Sequence, residues 1–423
     1  MKILVVGGGG REHAIICKLL ENKAVEKVYA LPGNGGIADV AECYPIAADD
    51  VKGIVAFAKD KQVDYVVVAP DDPLVLGCVD ALEAEGFSCF GPRANAAIIE
   101  GSKIFSKNLM KKYGIPTAAY EVFTDAGEAL SYLEKSNYPT VIKADGLALG
   151  KGAVIVNSLE EAKDTVKAMM LDKQFGESGS RIVVEEFMTG PEVSVLAFTD
   201  GKTIKPMVSS MDHKRALDND EGLNTGGMGT VAPNPYYTEE VARECMEKIY
   251  LPTVRAMEKE GRLFQGCLFF GLMITKDGPK VIEYNCRFGD PETQVVLPLL
   301  KGDLLTIMQA TKTGTLDQVE VAFEEKNACC VIVASSGYPL QYEKGNPITI
   351  PEEMKPHVYV AGAKIADGVL VNAGGRVLGV VGKGDTLREA IDTAYTYTKQ
   401  IHFKNAYYRK DIGKRALQAG SEE

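Results

Sequence analysis

Tryptophan is absent from the 423 residues, and histidine occurs only four times. With so few imidazoles, and no C-x-x-C spacing among the nine cysteines, a zinc site is not expected. The cysteines are scattered, and most sit in apolar runs such as Ala328-Cys329-Cys330-Val331. They read as small buried hydrophobes of a reducing compartment rather than as a disulfide framework. Long apolar runs are missing too: none approaches the ~18–20 residues that a membrane span needs. The opening run, Ile3 to Val6, is too short for a secretory signal. The chain is therefore expected in the cytoplasm. Nor is there an excess of positive charge. The net charge of −11 speaks against nucleic acid or an anionic membrane as the main partner. An anionic substrate would need a local basic pocket.

What is present is the balance of an ordinary globular enzyme, 46% apolar and 25% charged residues. The length fits roughly two or three domains. Ile3 to Val6, Val28 to Leu31 and Tyr65 to Ala69 are apolar runs, with a helical stretch from Arg11 to Asn22 between the first two. Strand, helix, strand at this spacing predicts a parallel sheet with helices on its faces. Gly91-Pro92 and a helix from Ser102 to Tyr113 mark a boundary near residue 100. Short strands around a glycine-rich hairpin and one helix, near Glu160 to Met170, follow between Thr140 and Phe187, then strands at 194–198, 267–275 and 281–285, with a helix over 239–260. A further small unit begins near Val319 and carries a helix over 386–400.

Five stretches could carry chemistry. Gly7-Gly8-Gly9-Gly10-Arg11-Glu12 follows a strand and opens a helix, a place for a phosphate or simply for tight packing. A dinucleotide site would also want an acidic residue at the end of the second strand, where Ala30-Leu31-Pro32 stands. Gly33-Asn34-Gly35-Gly36 forms a second glycine loop beside the first. Lys143 on a strand, followed by Gly146, Gly150, Lys151 and Gly152, suits phosphate contact, although the spacing is not that of a P-loop. Val183-Val184-Glu185-Glu186-Phe187-Met188, with Glu192 beyond, could present backbone to an adenine edge and a carboxylate to a ribose. Alternation along 281–285 puts Glu283 and Asn285 on one face, two hard-oxygen ligands suited to Mg²⁺. Asp290-Pro291 reads equally well as a helix start. Finally, Asp212-His213-Lys214-Arg215 leads into Asn224-Thr225-Gly226-Gly227-Met228-Gly229. Taken singly, each stretch is also compatible with a solvated or structural role.

Their order resembles the ATP-grasp superfamily, and the chain is most similar to its glycinamide ribonucleotide synthetase family. The resemblance spans nearly the whole chain. It is carried by Gly7 to His13, Pro32 to Asn34 with Gly35, Asp212 to Arg215, Asn224 to Gly229, Arg287 to Glu292 and Tyr408 to Gly413. It implies an α/β and α+β multidomain fold: a Rossmann-like N-terminal domain over 1–102, an ATP-grasp core of two α+β lobes over 103–317 with a lid at about 120–190, and a small, mostly β, C-terminal domain over 318–423. It implies ATP and Mg²⁺ (or Mn²⁺), with glycine and 5-phosphoribosylamine as substrates; a monomer with no nucleic-acid or membrane partner is expected.

The resemblance also distributes roles. Lys103, Lys143 and Arg215 would neutralise phosphates, with Asn224 nearby and the 146–152 loop, including Gly150 and Lys151, as a lid. Glu185, Glu186, Phe187 and Met188 would face adenine, and Glu192 the ribose. Glu283 and Asn285 would hold the metal. Asp212, Lys214 and Arg287 would position glycine and the ribosyl amine, with Gly33 and Asn34 near the sugar phosphate. Two departures stand out. The strand over 268–274 lacks the metal carboxylate that many ATP-grasp enzymes carry there, which implies a lean metal site. Ala69-Pro70-Asp71-Asp72-Pro73 replaces the more familiar Gly-Pro-Glu-x-Pro. The rival readings are another ATP-grasp carboxylate–amine ligase and a non-catalytic nucleotide-binding regulator.

Overall fold

The computed structural model describes residues 1–147 and 152–419. The N-terminal unit is a five-stranded, all-parallel sheet. Lys2–Gly7 lies at its centre, between Lys27–Pro32 and Tyr65–Val68, with Glu42–Cys43 and Cys89–Phe90 at the edges. Near-continuous Val, Ile and Leu suit strands covered on both faces, and residues 3–6 are fully buried. In the parallel register Gly7 stands opposite Pro32. The two glycine loops therefore leave the sheet side by side, as the sequence predicts. The first helix runs Gly10–Leu19, shorter at its C-terminal end than expected.

Ser102 caps the helix Lys103–Tyr113 by accepting the Phe105 amide at 3.1 Å, and Gly114, at φ 68°, ends it. Beyond it lie two antiparallel four-stranded sheets. The smaller orders Tyr120–Phe123, Ile182–Glu186, Thr140–Ala144 and Ala153–Val156. Its helices are Leu159–Val166 and Ala126–Leu133, the latter and the first strand not foreseen individually from sequence. The larger orders Ile204–Pro206, Glu192–Thr199, Gly266–Thr275 and Gly278–Asn285. The helical stretch expected over 239–260 is present, but its middle turn, Met246–Tyr250, is π-wound.

A further sheet mixes distant parts of the chain. Met211–Asp212 and Gly229–Ala232 pair onward to Asn327–Ser335, Arg376–Gly384 and Val358–Val360, with Ala406–Tyr407 alongside. Apolar packing follows the same plan. One face of the N-terminal sheet (Leu4, Val6) shares a core with Leu268 and Phe270, and the other (Ile3, Val5) with Cys330 and Ile332. The small sheet has its own core, including Ile142, Ala162 and Val184. Among the described residues no helix is long and apolar enough to cross a membrane.

Candidate active site

Pairing with Gly266–Thr275 sets Glu283 opposite Gly271 and Asn285 opposite Phe269, on one face of their strand. Tyr284 points into the core, its hydroxyl 2.8 Å from that of Thr253. Burial alone would raise the Glu283 pKa. The nearby Lys214, Lys143, Lys103 and Arg287 outweigh it and hold the carboxyl below its usual range. Among the described residues neither the Glu283 carboxylate nor the Asn285 Oδ1 accepts a hydrogen bond. Asn285 Nδ2 instead donates to Glu100 Oε1 at 2.8 Å, which fixes the amide's orientation. Glu100, buried on the helix Ala94–Gly101, also accepts the Cys286 amide at 2.7 Å and pairs with Arg287 at 3.1 Å.

The lysines come from two elements. Lys103 opens the helix Lys103–Tyr113 and donates from Nζ to Gly146 O at 3.1 Å, and burial lowers its pKa. Lys143 reaches from the small sheet to Ile282 O at 3.1 Å and to Glu185 Oε2 at 3.0 Å. Lys107 holds the same carboxylate oxygen at 3.0 Å. The Glu185 side chain is thus engaged by two lysines and buried, so only its backbone could serve as a hinge. Glu186 is exposed and accepts the Ala119 amide at 3.2 Å, and Phe187 and Met188 follow the strand end. Glu192, which starts the next strand, pairs with Lys214 at 3.5 Å. Gly150 and Lys151 lie outside the described residues.

The glycine loops close the site from the other side. A side chain at Gly8 would overlap Gly33 O, and the Gly33 amide donates to Gly7 O at 3.1 Å. Gly33 itself sits at φ 68°. The Asn34 side chain is fully occupied: Nδ2 donates to Gly8 O and Val360 O, and Oδ1 accepts the Gly36 and Ile37 amides. Arg11 donates to Phe288 O at 3.1 Å, so the first loop packs on the 287–294 turn. Asp71 faces Arg287 and Arg11, which outweigh its burial and lower its pKa. Asp290 is not a helix N-cap: the helix there starts only at Thr293. Its carboxylate lies between Gln294 (2.8 Å), the Arg11 amide (3.4 Å) and Arg376 (3.7 Å).

Asp212 and Lys214 meet this surface through the 224–229 loop. A Cβ at Gly227 would stand 2.6 Å from both Asp212 Oδ1 and Pro291 Cδ. Burial and the neighbouring Glu292 push the Asp212 carboxyl well up. Glu192, Glu283, Asp212 and Glu292 surround Lys214 and keep it protonated. Arg215 and Asn224 differ from the rest. They face each other across their own hairpin, and Arg215 donates to Gly222 O at 2.9 Å rather than to any group beside Glu283. The donor set nevertheless suits a hard cation. Among the described residues no three His, Cys, Asp or Glu side chains gather as a metal cluster, so Glu283 and Asn285 would need phosphate and water oxygens to complete a shell.

Three family models match most of the chain: the N domain of phosphoribosylglycinamide synthetase over residues 1–100, its ATP-grasp (A) domain over 101–293 and its C domain over 328–415. The chain belongs to the phosphoribosylglycinamide synthetase family. Family relatives include the phosphoribosylamine–glycine ligase of Caldanaerobacter subterraneus, 49% identical over 97% of this chain and 99% of that protein. The ligase of Clostridium acetobutylicum is 47% identical over 98% of this chain and all of that one. A crystal structure of the Thermotoga maritima phosphoribosylamine–glycine ligase superposes with a TM-score of 0.85 at 33% identity, covering 97% of this chain and all of that one. The biotin carboxylase domain of a Hydrogenobacter thermophilus carboxylase, solved with MgADP and bicarbonate, shares the fold at TM-score 0.73 and 16% identity, over 96% of this chain and 91% of that one.

In this family member the groups that sequence reading missed are Glu100, Lys107 and Arg376. Each is a lone charged residue whose partners lie far along the chain. Only the burial of Glu100 in the apolar run Ile98-Ile99-Glu100-Gly101 could have drawn attention to it.

Proposed function

We propose that this protein is a phosphoribosylamine–glycine ligase. It joins the carboxyl group of glycine to the amine of 5-phosphoribosylamine, converting ATP to ADP and phosphate and yielding glycinamide ribonucleotide for purine synthesis. The observation that carries the reading is the convergence of Lys103, Lys143, Lys214 and Arg287 on the ionised Glu283. The named activity of relatives that align end to end supports the choice of substrates.

A free carboxylate is a poor electrophile, so the reaction runs through glycyl phosphate. A glycine carboxylate oxygen takes the γ-phosphoryl group and ADP leaves. The ribosyl amine then attacks the acyl carbon, expels phosphate and loses a proton. Such transfers depend on positioning and charge neutralisation rather than on a protein nucleophile. Lys103 and Lys143 neutralise phosphate oxygens, with Arg215, Asn224 and the 146–152 loop, including Gly150 and Lys151, closing over them. The backbone of 185–188 meets adenine, and Glu192 meets the ribose. Asp212, Lys214 and Arg287 orient glycine and the amine. Gly33 and the loop that the Asn34 side chain braces take the sugar phosphate. Glu283 and Asn285 would hold Mg²⁺ (or Mn²⁺), which supplies charge neutralisation at the phosphate oxygens. The same reading makes the enzyme a cytoplasmic monomer.

ADP formation measured across a panel of acids and amines tests the proposal. Turnover should require both glycine and 5-phosphoribosylamine. ADP formed with another acid but not with glycine would overturn the substrate, and ATP binding without any turnover would favour a regulator.

A further inference from the structure

The stretch Tyr408-Arg409-Lys410-Asp411-Ile412-Gly413 has no part in the chemistry above, yet it is tied to the segment that carries Lys214. Arg409 is 1% exposed. Its guanidinium makes a two-pronged contact with Asp411, at 2.8 and 2.9 Å, and its Nη1 donates to Asp220 Oδ1 and to Arg215 O, each at 3.1 Å. A planar, forked cation of this kind fixes several acceptors at once, which a lysine ammonium on a flexible stem does not.

The grip extends along the whole facing segment. The Gly413 amide donates to His213 Nε2 at 3.1 Å, while His213 Nδ1 lies 3.0 Å from Gly229 O. The Tyr407 hydroxyl donates to Ala216 O at 3.0 Å. Asp218 accepts the Lys410 amide at 2.7 Å, and Asp411 accepts the Asn219 amide at 2.8 Å. The strap is itself anchored by the helix Leu387–Thr398, whose Tyr395 hydroxyl donates to Arg409 O and accepts the Ile412 amide. Lys214 therefore stands between two chain neighbours, His213 and Arg215, both held by residues 409–413. Its own carbonyl accepts the Thr225 amide at 2.8 Å, which carries the restraint into the glycine-rich 224–229 loop.

We propose that residues 407–413 form a positioning strap for the ligation, with Arg409 as its key positioning residue, fixing the backbone at 213–215 so that Lys214 is presented to the reactants. The inference rests on the function proposed above. It makes the C-terminal unit part of the active site's construction, although none of its strap residues touches the reacting atoms.

The test is a double-mutant cycle in the full-length chain. Arg409→Lys should lower kcat/KM for glycine by about tenfold or more. In a Lys214→Ala background the same change should cost less than about twofold, while the drop in melting temperature is equal in both backgrounds. Fully additive activity losses would overturn the strap and leave Arg409 a stability residue. A second readout needs no turnover. In Arg409→Lys the Thr225 and Met228 amides, which donate to Lys214 O and His213 O, should exchange at least about tenfold faster, with the amides of Thr140–Ala144 unchanged. Unaltered protection at both would equally overturn it. Absence of glycine-dependent turnover in the parent chain would strike at the proposed function instead.

Discussion

Among the described residues Glu283 is a charged side chain that makes no hydrogen bond to the protein while four cations surround it. Such a group is poised for a ligand that brings its own charge. Glu283→Gln should leave the melting temperature close to that of the parent but lower turnover on the order of 100-fold or more, since a metal contact contributes several kcal/mol to the transition state. Unchanged turnover at saturating Mg²⁺ would remove its role. Glu100 offers a sharper test of orientation. Glu100→Gln keeps one acceptor but loses the charge that pairs with Arg287, so activity should fall roughly 10–100-fold, with a higher Mg²⁺ requirement. An activity loss that Mg²⁺ titration does not shift would point to Arg287 alone. The Glu283/Asn285 pair was legible in the sequence because strand alternation is local. Glu100 was not, because its partner Asn285 lies 185 residues away and its own helix reads as apolar filling. The sequence left Asp290 open between a helix start and a site role: Asp-Pro has a strong local preference for a helix start, whereas the carboxylate here meets the Arg11 amide and Arg376, groups distant along the chain.

Among elements, the two glycine loops and the two buried histidines make different predictions. Gly8 has no room for a methyl group against Gly33 O. Gly8→Ala should therefore part the loops and raise KM for 5-phosphoribosylamine by about tenfold or more, with KM for ATP little changed. Equal effects on both would place the loops elsewhere in the reaction. The side-by-side exit of these loops follows from parallel pairing and was readable from the strand spacing. The Asn34 side chain's bonds to Gly8 and Val360 were not, because the Val360 strand comes from the C-terminal unit.

His13 and His213 join elements rather than react. Val360 N donates to His13 Nδ1 at 2.8 Å, and His213 bridges Gly229 and Gly413. Burial lowers both pKa values to about 4, against the opposing Asp39 at His13 and Asp220 at His213, where Arg409 and Arg415 add to the lowering. Folded values lie below the unfolded 6.5, so the unfolded chain binds more protons between these limits. The stabilisation is complete above pH 6.5 and is lost as pH falls toward 4, roughly 3 kcal/mol for each histidine. Denaturant midpoints taken from about pH 7.5 down to about pH 4.5 should fall more steeply for the parent than for His13→Gln, and parallel curves would refute the assignment.

At the scale of the whole molecule, the cores decide what can move. The N-terminal sheet shares apolar packing with the large lobe on one face and with the C-terminal strands on the other, whereas the small sheet keeps a core to itself. A unit with its own core can open without unfolding its neighbours. Hydrogen exchange should show the strands Thr140–Ala144 and Ile182–Glu186 opening as a group, at lower free energy than Lys2–Gly7 or Asn327–Ser335. A single cooperative opening of all four would contradict an independent small lobe. The sheet that joins Met211–Asp212 and Gly229–Ala232 to Asn327–Ser335 has a consequence for biosynthesis. On the ribosome, the Gly229–Ala232 edge must wait for residues that emerge much later, and any product ending before them would carry a bare ladder edge, open to mispairing with another chain.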